Sequence, residues 1–88
     1  MVNWKYKLNL KEDWQRAERK EITAKELANI VVDKIINSTF YSGLNDELQD
    51  IIDEFKGLGK DDSFDDFDVI WDQFYDWADE NKVRVAII

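Results

Sequence analysis

The apolar residues change their period twice along the chain, and that change limits what it can fold into. Val2, Trp4, Tyr6 and Leu8 alternate with Asn3, Lys5, Lys7 and Asn9, while Val83, Val85 and Ile87 alternate with Arg84, Ala86 and Ile88. A period of two is that of a strand, whose successive side chains face opposite ways. Between these segments the apolar residues recur every three or four positions, the spacing of one helical face. The pattern predicts a strand, a run of helices, and a closing strand.

Four helices follow from the intervening stretch. Leu10 to Lys20 reads as a short helix that buries Leu10, Trp14 and Ala17, with Asn9 as its N-cap and Glu12 three residues on. Thr23 and Glu26 form a T-x-x-E capping box, in which hydroxyl and carboxylate each satisfy an unpaired backbone N–H, and Ile22 is placed to staple onto Leu27. The helix they start, Ala24 to about Ser38, is apolar around most of its girth and is expected to be the central element. After a turn at Ser42 and Gly43, the stripe Leu44, Leu48, Ile51, Ile52, Phe55 and Leu58 marks a third helix. Gly57 and Gly59 are expected to end it in the left-handed conformation. Ser63 caps the last helix, Phe64 to about Glu80, with Asp65 and Asp66 near the positive end of its dipole.

A chain of 88 residues buries only roughly 60 to 65% of its unfolded surface, so its core needs large side chains. Four Trp, five Phe and three Tyr supply them. On the last helix Phe64, Phe67, Trp71, Phe74, Tyr75 and Ala78 form the core stripe, flanked by Ile70 and Trp77. Trp4, Tyr6 and Trp14 are expected to be buried, and Phe40 and Tyr41 are candidates for exposed contacts. Two strands alone are marginal in water. The expected fold is therefore α+β in a single domain, residues 1–88: N-terminal strand, short helix, three longer helices and C-terminal strand, the helices packed on a small two-stranded sheet.

The chain has neither cysteine nor histidine. Disulfides, thiolate metal sites and a cysteine nucleophile are excluded, and with histidine go the commonest general base and metal ligand. Ser38, Ser42 and Ser63 fall in turn or cap positions with nothing to activate them, and there is no Gly-rich phosphate loop. The expectation is a non-enzyme without catalytic residues or cofactor. Met1 to Leu10 lacks the basic-then-apolar order of a signal peptide, and no stretch nears the roughly 20 apolar residues of a membrane span. A cytoplasmic protein without a membrane partner is expected.

Charge divides the sequence in two. Residues 1–44 carry eight Lys/Arg and six Asp/Glu, a net of +2, whereas residues 45–88 carry four and fourteen, a net of −10. Such a block repels nucleic acid and anionic lipid and attracts basic protein surfaces, with a reach of about 8 to 10 Å at ordinary salt. On the last helix Asp65, Asp68, Asp72, Asp76 and Asp79 follow one another at three, four, four and three residues, stacking along one edge. They make a ridge about 20 Å long, at about 1.5 Å of rise per residue. No base occurs between Asp61 and Asn81. Such like-charge neighbours repel by a few tenths of a kcal/mol per pair. The ridge is therefore either a solvated face that keeps a small protein soluble or a surface held ready for a basic partner. Asp46, Asp50, Asp53 and Glu54 on the third helix are its secondary candidates.

Three other chemistries fit the sequence poorly. Asp61, Ser63, Asp65 and Asp72 occupy positions one, three, five and twelve of a calcium-loop template, but Asp66 replaces the required glycine and Asp72 the usual glutamate. No metal site is expected. Paired-carboxylate catalysis needs an apolar cleft that raises one pKa, the opposite of a solvated ridge. "ITAKELANIV" resembles the first helix of a helix-turn-helix, yet the next helix would put Asp46, Glu47, Asp50, Asp53 and Glu54 into the major groove. Direct nucleic-acid binding is not expected.

The acidic composition, the acidic aromatic helix and the openings "KYKLNLKEDW" and "EITAKELA" resemble small proteins of bacteriophages and mobile elements. Some of these are anti-CRISPR or DNA-mimic inhibitors. The resemblance implies an inhibitor that presents carboxylates to a nucleic-acid-binding effector. The alternative is an assembly module, a homodimer or a small subunit offering a strand edge or helix face, with the acids serving solubility.

Overall fold

A computed structural model describes residues 4–37, 46–81 and 83–88, with the backbone alone described at 4–7 and 84. In chain order the elements are β1 (Trp4–Leu8), α1 (Lys11–Glu18), α2 (Ala24–Ile36), α3 (Asp46–Lys56), α4 (Phe64–Glu80) and β2 (Val83–Ile87). β1 and β2 pair in parallel, Trp4 with Val83 through Leu8 with Ile87, a direction the sequence pattern left open. The Ser42–Gly43 turn, Leu44 and the contact candidates Phe40 and Tyr41 lie outside the described residues. So do the side chains of Trp4 and Tyr6.

The expected α+β class, with helices packed on a two-stranded sheet, is corrected. The molecule is mainly helical, and its helices pack on one another. α2 meets α1, α3 and α4; α3 meets α4; and the β1–β2 ribbon joins this body through the contact of β2 with α4. The reason is one of area. Two five-residue strands span only about 17 Å by 5 Å, too little to cover four helices. The core therefore sits between helices, around Leu27, Val31, Ile35, Leu48, Ile52, Phe55, Phe67 and Phe74. Leu8 enters it from β1, and Val83, Val85 and Ile87 of β2 pack against it half-buried.

Local chemistry sets the helix ends. Both capping boxes form: Thr23 Oγ1 accepts the Glu26 N–H while Glu26 Oε1 accepts the Thr23 N–H, each at 3.1 Å. Ser63 and Asp66 exchange the same pair at 3.3 and 3.0 Å. α1 starts differently from the expectation. Its N-cap is Leu10, with no side-chain cap, and Asn9 is exposed. The Ile88 carbonyl oxygen accepts the N–H of Leu10 at 3.0 Å and of Lys11 at 2.9 Å. A backbone acceptor held by the β1–β2 pairing thus does the work expected of Asn9.

Two further expectations fail at glycine. Neither Gly57 nor Gly59 is left-handed. Lys20 is, at φ 62°, after α1. There Lys20 N–H bonds to the Ala17 carbonyl and Glu21 N–H to the Arg16 carbonyl, at 3.0 and 2.8 Å, the paired bonds of a Schellman ending. The left-handed conformation costs a side-chain-bearing residue about 1–2 kcal/mol, whereas glycine adds about 0.4–1 kcal/mol of unfolded-chain entropy. Lys20→Gly is therefore expected to stabilise by about 0.5 kcal/mol, read as a higher urea midpoint at unchanged slope. A lower midpoint would show that the Lys20 side chain contributes more than its backbone costs.

Candidate interaction surface

α4 owes its helical start to Ser63 and its orientation to its rings. Phe67, Ile70, Trp71, Phe74, Trp77 and Ala78 are buried, a seam spaced three, one, three, three and one. Tyr75, expected in the core stripe, is 40% exposed, and Ile70 and Trp77, expected at its flank, lie inside. The seam is turned toward α3, where Trp77 lies beside Ile51, and Trp14 of α1 packs on its opposite edge. Half-buried, it sets its ring nearly perpendicular to Phe64, Phe67 and Trp71, with centroids 5.6, 5.2 and 5.1 Å away. This edge-to-face grouping suits the ring quadrupoles.

With the rings turned inward, the acids face out. Asp65, Asp68, Asp72, Asp76 and Asp79 are all exposed, as are Asp46, Asp50, Asp53 and Glu54 of α3. The five-aspartate row runs along α4 with Val69, 60% exposed, set among its members. The described ion pairs, Arg16–Asp13 and Arg19–Glu21, belong to α1 and its exit and leave these carboxylates without a basic partner among the described residues. Gln49 Nε2 donates to Asp53 Oδ1 at 3.1 Å. Among the described residues no group of three or more acids is disposed to hold a metal ion.

Not all nine residues come together. A groove of about 280 Å³ runs between α3 and α4, bordered by Glu47, Asp50 and Glu54 on one side and Asp76 and Glu80 on the other. Its floor is Ile51 and Trp77, with Gln73 at its edge. Asp65, Asp68, Asp72 and Asp79 do not line it, and neither do Asp46 and Asp53. Sequence reasoning missed Glu47, Gln73 and Glu80. The i,i+4 pair Asp76–Glu80 and the seven-residue step from Glu47 to Glu54 were legible signals, but only the docking of α3 on α4 shows that they face each other.

A second cleft, of about 530 Å³, opens where α2 and α4 begin. Ile22, Ala24 and Phe64 line it together with Lys20, Lys60 and Asp62. Three of its acids, Glu21, Glu26 and Asp62, are already engaged. Asp62 Oδ2 accepts the Gly59 N–H at 2.5 Å, and Glu26 completes its capping box. At the same cleft, a hydrogen bond from Arg19 Nε holds the Glu21 carboxyl below the usual carboxylate range. That stabilisation is present above the ordinary glutamate range and lost as pH falls through the lowered value. Because the pair is exposed, it contributes little.

No helix among the described residues is long and apolar enough to cross a membrane. Comparison with family models, curated proteins and solved structures finds no match.

Proposed function

We propose that this chain is a non-enzymatic binding protein that offers the acidic face of α3 and α4 to a basic, nucleic-acid-handling partner and inhibits it by occupancy, in the manner of DNA-mimic and anti-CRISPR proteins. One observation carries this reading: α3 and α4 bring twelve carboxylates to the surface against a single base, Lys56. Helices under selection for stability alone would alternate acids with lysines, since each like-charged neighbour costs a few tenths of a kcal/mol. Val69 and Tyr75 add apolar contact points to the charged face. Successive carboxylates along the ridge, about 4.5 to 6 Å apart, approach the spacing of a phosphate row.

The test is affinity capture from a bacterial lysate by the native chain and by the triple variant Asp68→Asn, Asp72→Asn, Asp76→Asn. The native chain is expected to retain basic nucleic-acid-binding proteins at low salt and release them at high salt. At about 1 kcal/mol for each charge pair lost, the variant should bind on the order of 100-fold more weakly. Equal retention by a folded variant would falsify the proposal.

Strand-edge assembly is a second reading, favoured by one feature. The described side chains of β2 are half-buried rather than covered, and Ile88 is 50% exposed, whereas parallel strands are usually buried on both faces. Sedimentation at two salt concentrations separates the readings: a dimer insensitive to salt supports assembly.

A further inference from the structure

Resting on the strand-edge reading, we propose that a second copy of this chain adds to the outer edge of β2, antiparallel and centred on Val85, to give a four-stranded sheet in the order β1, β2, β2, β1. The bonds at the end of the ribbon set its phase. Ile88 N–H donates to the Leu8 carbonyl at 2.9 Å, and the Ile88 carbonyl accepts the Leu10 N–H at 3.0 Å. Successive strand residues direct their backbone groups to opposite sides. Arg84, Ala86 and Ile88 therefore bond to β1, whereas Val83, Val85 and Ile87 turn their N–H and C=O groups away from it. None of these outward groups has a hydrogen-bond partner among the described residues. Such a row of donors and acceptors takes either water or another strand.

Charge separates the two edges of the ribbon. Proteins guard an edge that must stay free with lysine, proline or a bulge. β1 has Lys5 and Lys7 at its outward positions, while β2 has Val83, Val85 and Ile87, and its segment VRVAI holds neither proline nor acid. A second copy suits this edge better than a foreign strand. A foreign strand would bring a new unpaired edge of its own, whereas a two-fold axis at Val85 pairs both β2 edges at once and leaves only the lysine-bearing β1 edges outside. In that register Val85 meets Val85 and Val83 meets Ile87, so the half-buried apolar residues of both copies form one row on the core face. Arg84 falls opposite Ala86, and the only charge of the strand meets no like charge. The net charge of −8 on each copy opposes association, so added salt does not weaken the dimer.

The test is sedimentation of the full chain over roughly 10 to 500 µM, a range suited to an interface at or below about 1,200 Å², at low and high salt. Three variants are run beside it, with folding of each verified by amide dispersion. Val85→Pro removes an outward N–H and leaves the β1 ladder its donors. Ala86→Glu and Ala86→Lys set an opposite or a like charge across from Arg84 of the second copy. The expected result is a monomer–dimer equilibrium undiminished by salt and a folded monomer for Val85→Pro. Ala86→Glu should tighten the dimer about threefold and Ala86→Lys weaken it about threefold, the scale of cross-strand charge pairs. Net charge alone would act in the opposite sense, since glutamate adds to the acidic excess and lysine reduces it. If Val85→Pro does not fold, the Ala86 pair decides. A native chain still monomeric at about 500 µM would overturn both the proposal and strand-edge assembly. A dimer that persists in folded Val85→Pro, or that the two Ala86 variants move in the same direction or not at all, would overturn the β2 edge and leave assembly through another face.

Discussion

Replacing Phe67 with alanine is expected to remove about 4 kcal/mol of stability. Phe67 is fully buried, and its ring lies 5.2 Å from Trp14, 5.4 Å from Phe55, 5.6 Å from Phe64 and 6.2 Å from Trp71. It is thus the ring at which α1, α3 and α4 meet. Truncating a buried phenylalanine costs about 3–5 kcal/mol through lost transfer energy and the cavity left behind. For a domain whose net stability is about 5–15 kcal/mol, that is a large share, equivalent to a fall in Tm of about 20 °C. Val69→Ala, two residues away but 60% exposed, should change stability by no more than about 0.5 kcal/mol. Urea unfolding of both variants gives the comparison. A Phe67→Ala cost below about 1 kcal/mol would mean that the rings repack and that no single one organises the core. A double-mutant cycle with Trp14→Ala should show a coupling of about 1 kcal/mol, since edge-to-face contact adds to area burial.

The same two rings show what the sequence could and could not reveal. Phe67 was legible as core from its place at helical spacing among Phe64, Trp71 and Phe74. Trp14 was legible as an apolar position of α1 but not as the ring that docks α1 on α4, because a periodic pattern reveals which face is buried and not what covers it. Tyr75 was misassigned for the same reason. The helical wheel marks a broad apolar arc, and the docking of α3 beside Trp77 decides which edge of that arc lies inside. Capping was legible at Thr23 and Ser63, where the partner is three residues away. It was not at Leu10, whose acceptor is the Ile88 carbonyl at the other end of the sequence.

The candidate surface divides along the same line. Exposure of the five-aspartate row followed from helical geometry alone, and the structure places every member at the surface. The groove needed a second helix. Glu47 and Glu80 are unremarkable acids on their own elements, and their alignment across Ile51 and Trp77 is a product of tertiary packing. Both groups arise from one cause. The seams that bury Leu48, Ile51, Ile52 and Phe55 on α3 and the rings on α4 leave only the opposite arcs for charge, and on both helices those arcs are almost wholly acidic.

Terminating the chain after Lys82 is expected to abolish cooperative folding. The change removes the parallel neighbour of β1. It also takes the half-buried Val83, Val85 and Ile87 from the core, worth about 1 kcal/mol each at half the value of full burial. The Ile88 carbonyl is lost as an acceptor as well: the Leu10 N–H keeps the Leu8 carbonyl at 2.9 Å, but the Lys11 N–H loses its bond, worth about 0.5–1.5 kcal/mol. With the ladder bonds between β1 and β2, each worth about 0.5–1.5 kcal/mol, these reach about 5 kcal/mol, the lower bound of a small domain's stability. α2 and α4 keep their capping boxes, so helical signal in the far-ultraviolet should partly survive while near-ultraviolet dichroism of the tryptophans collapses. Removing Ile88 alone isolates the capping term, with a loss of about 0.5–1.5 kcal/mol and cooperative unfolding retained. A truncated chain that still melts cooperatively would show that the helical body stands without the ribbon, whose β2 strand would then be available to pair with another molecule.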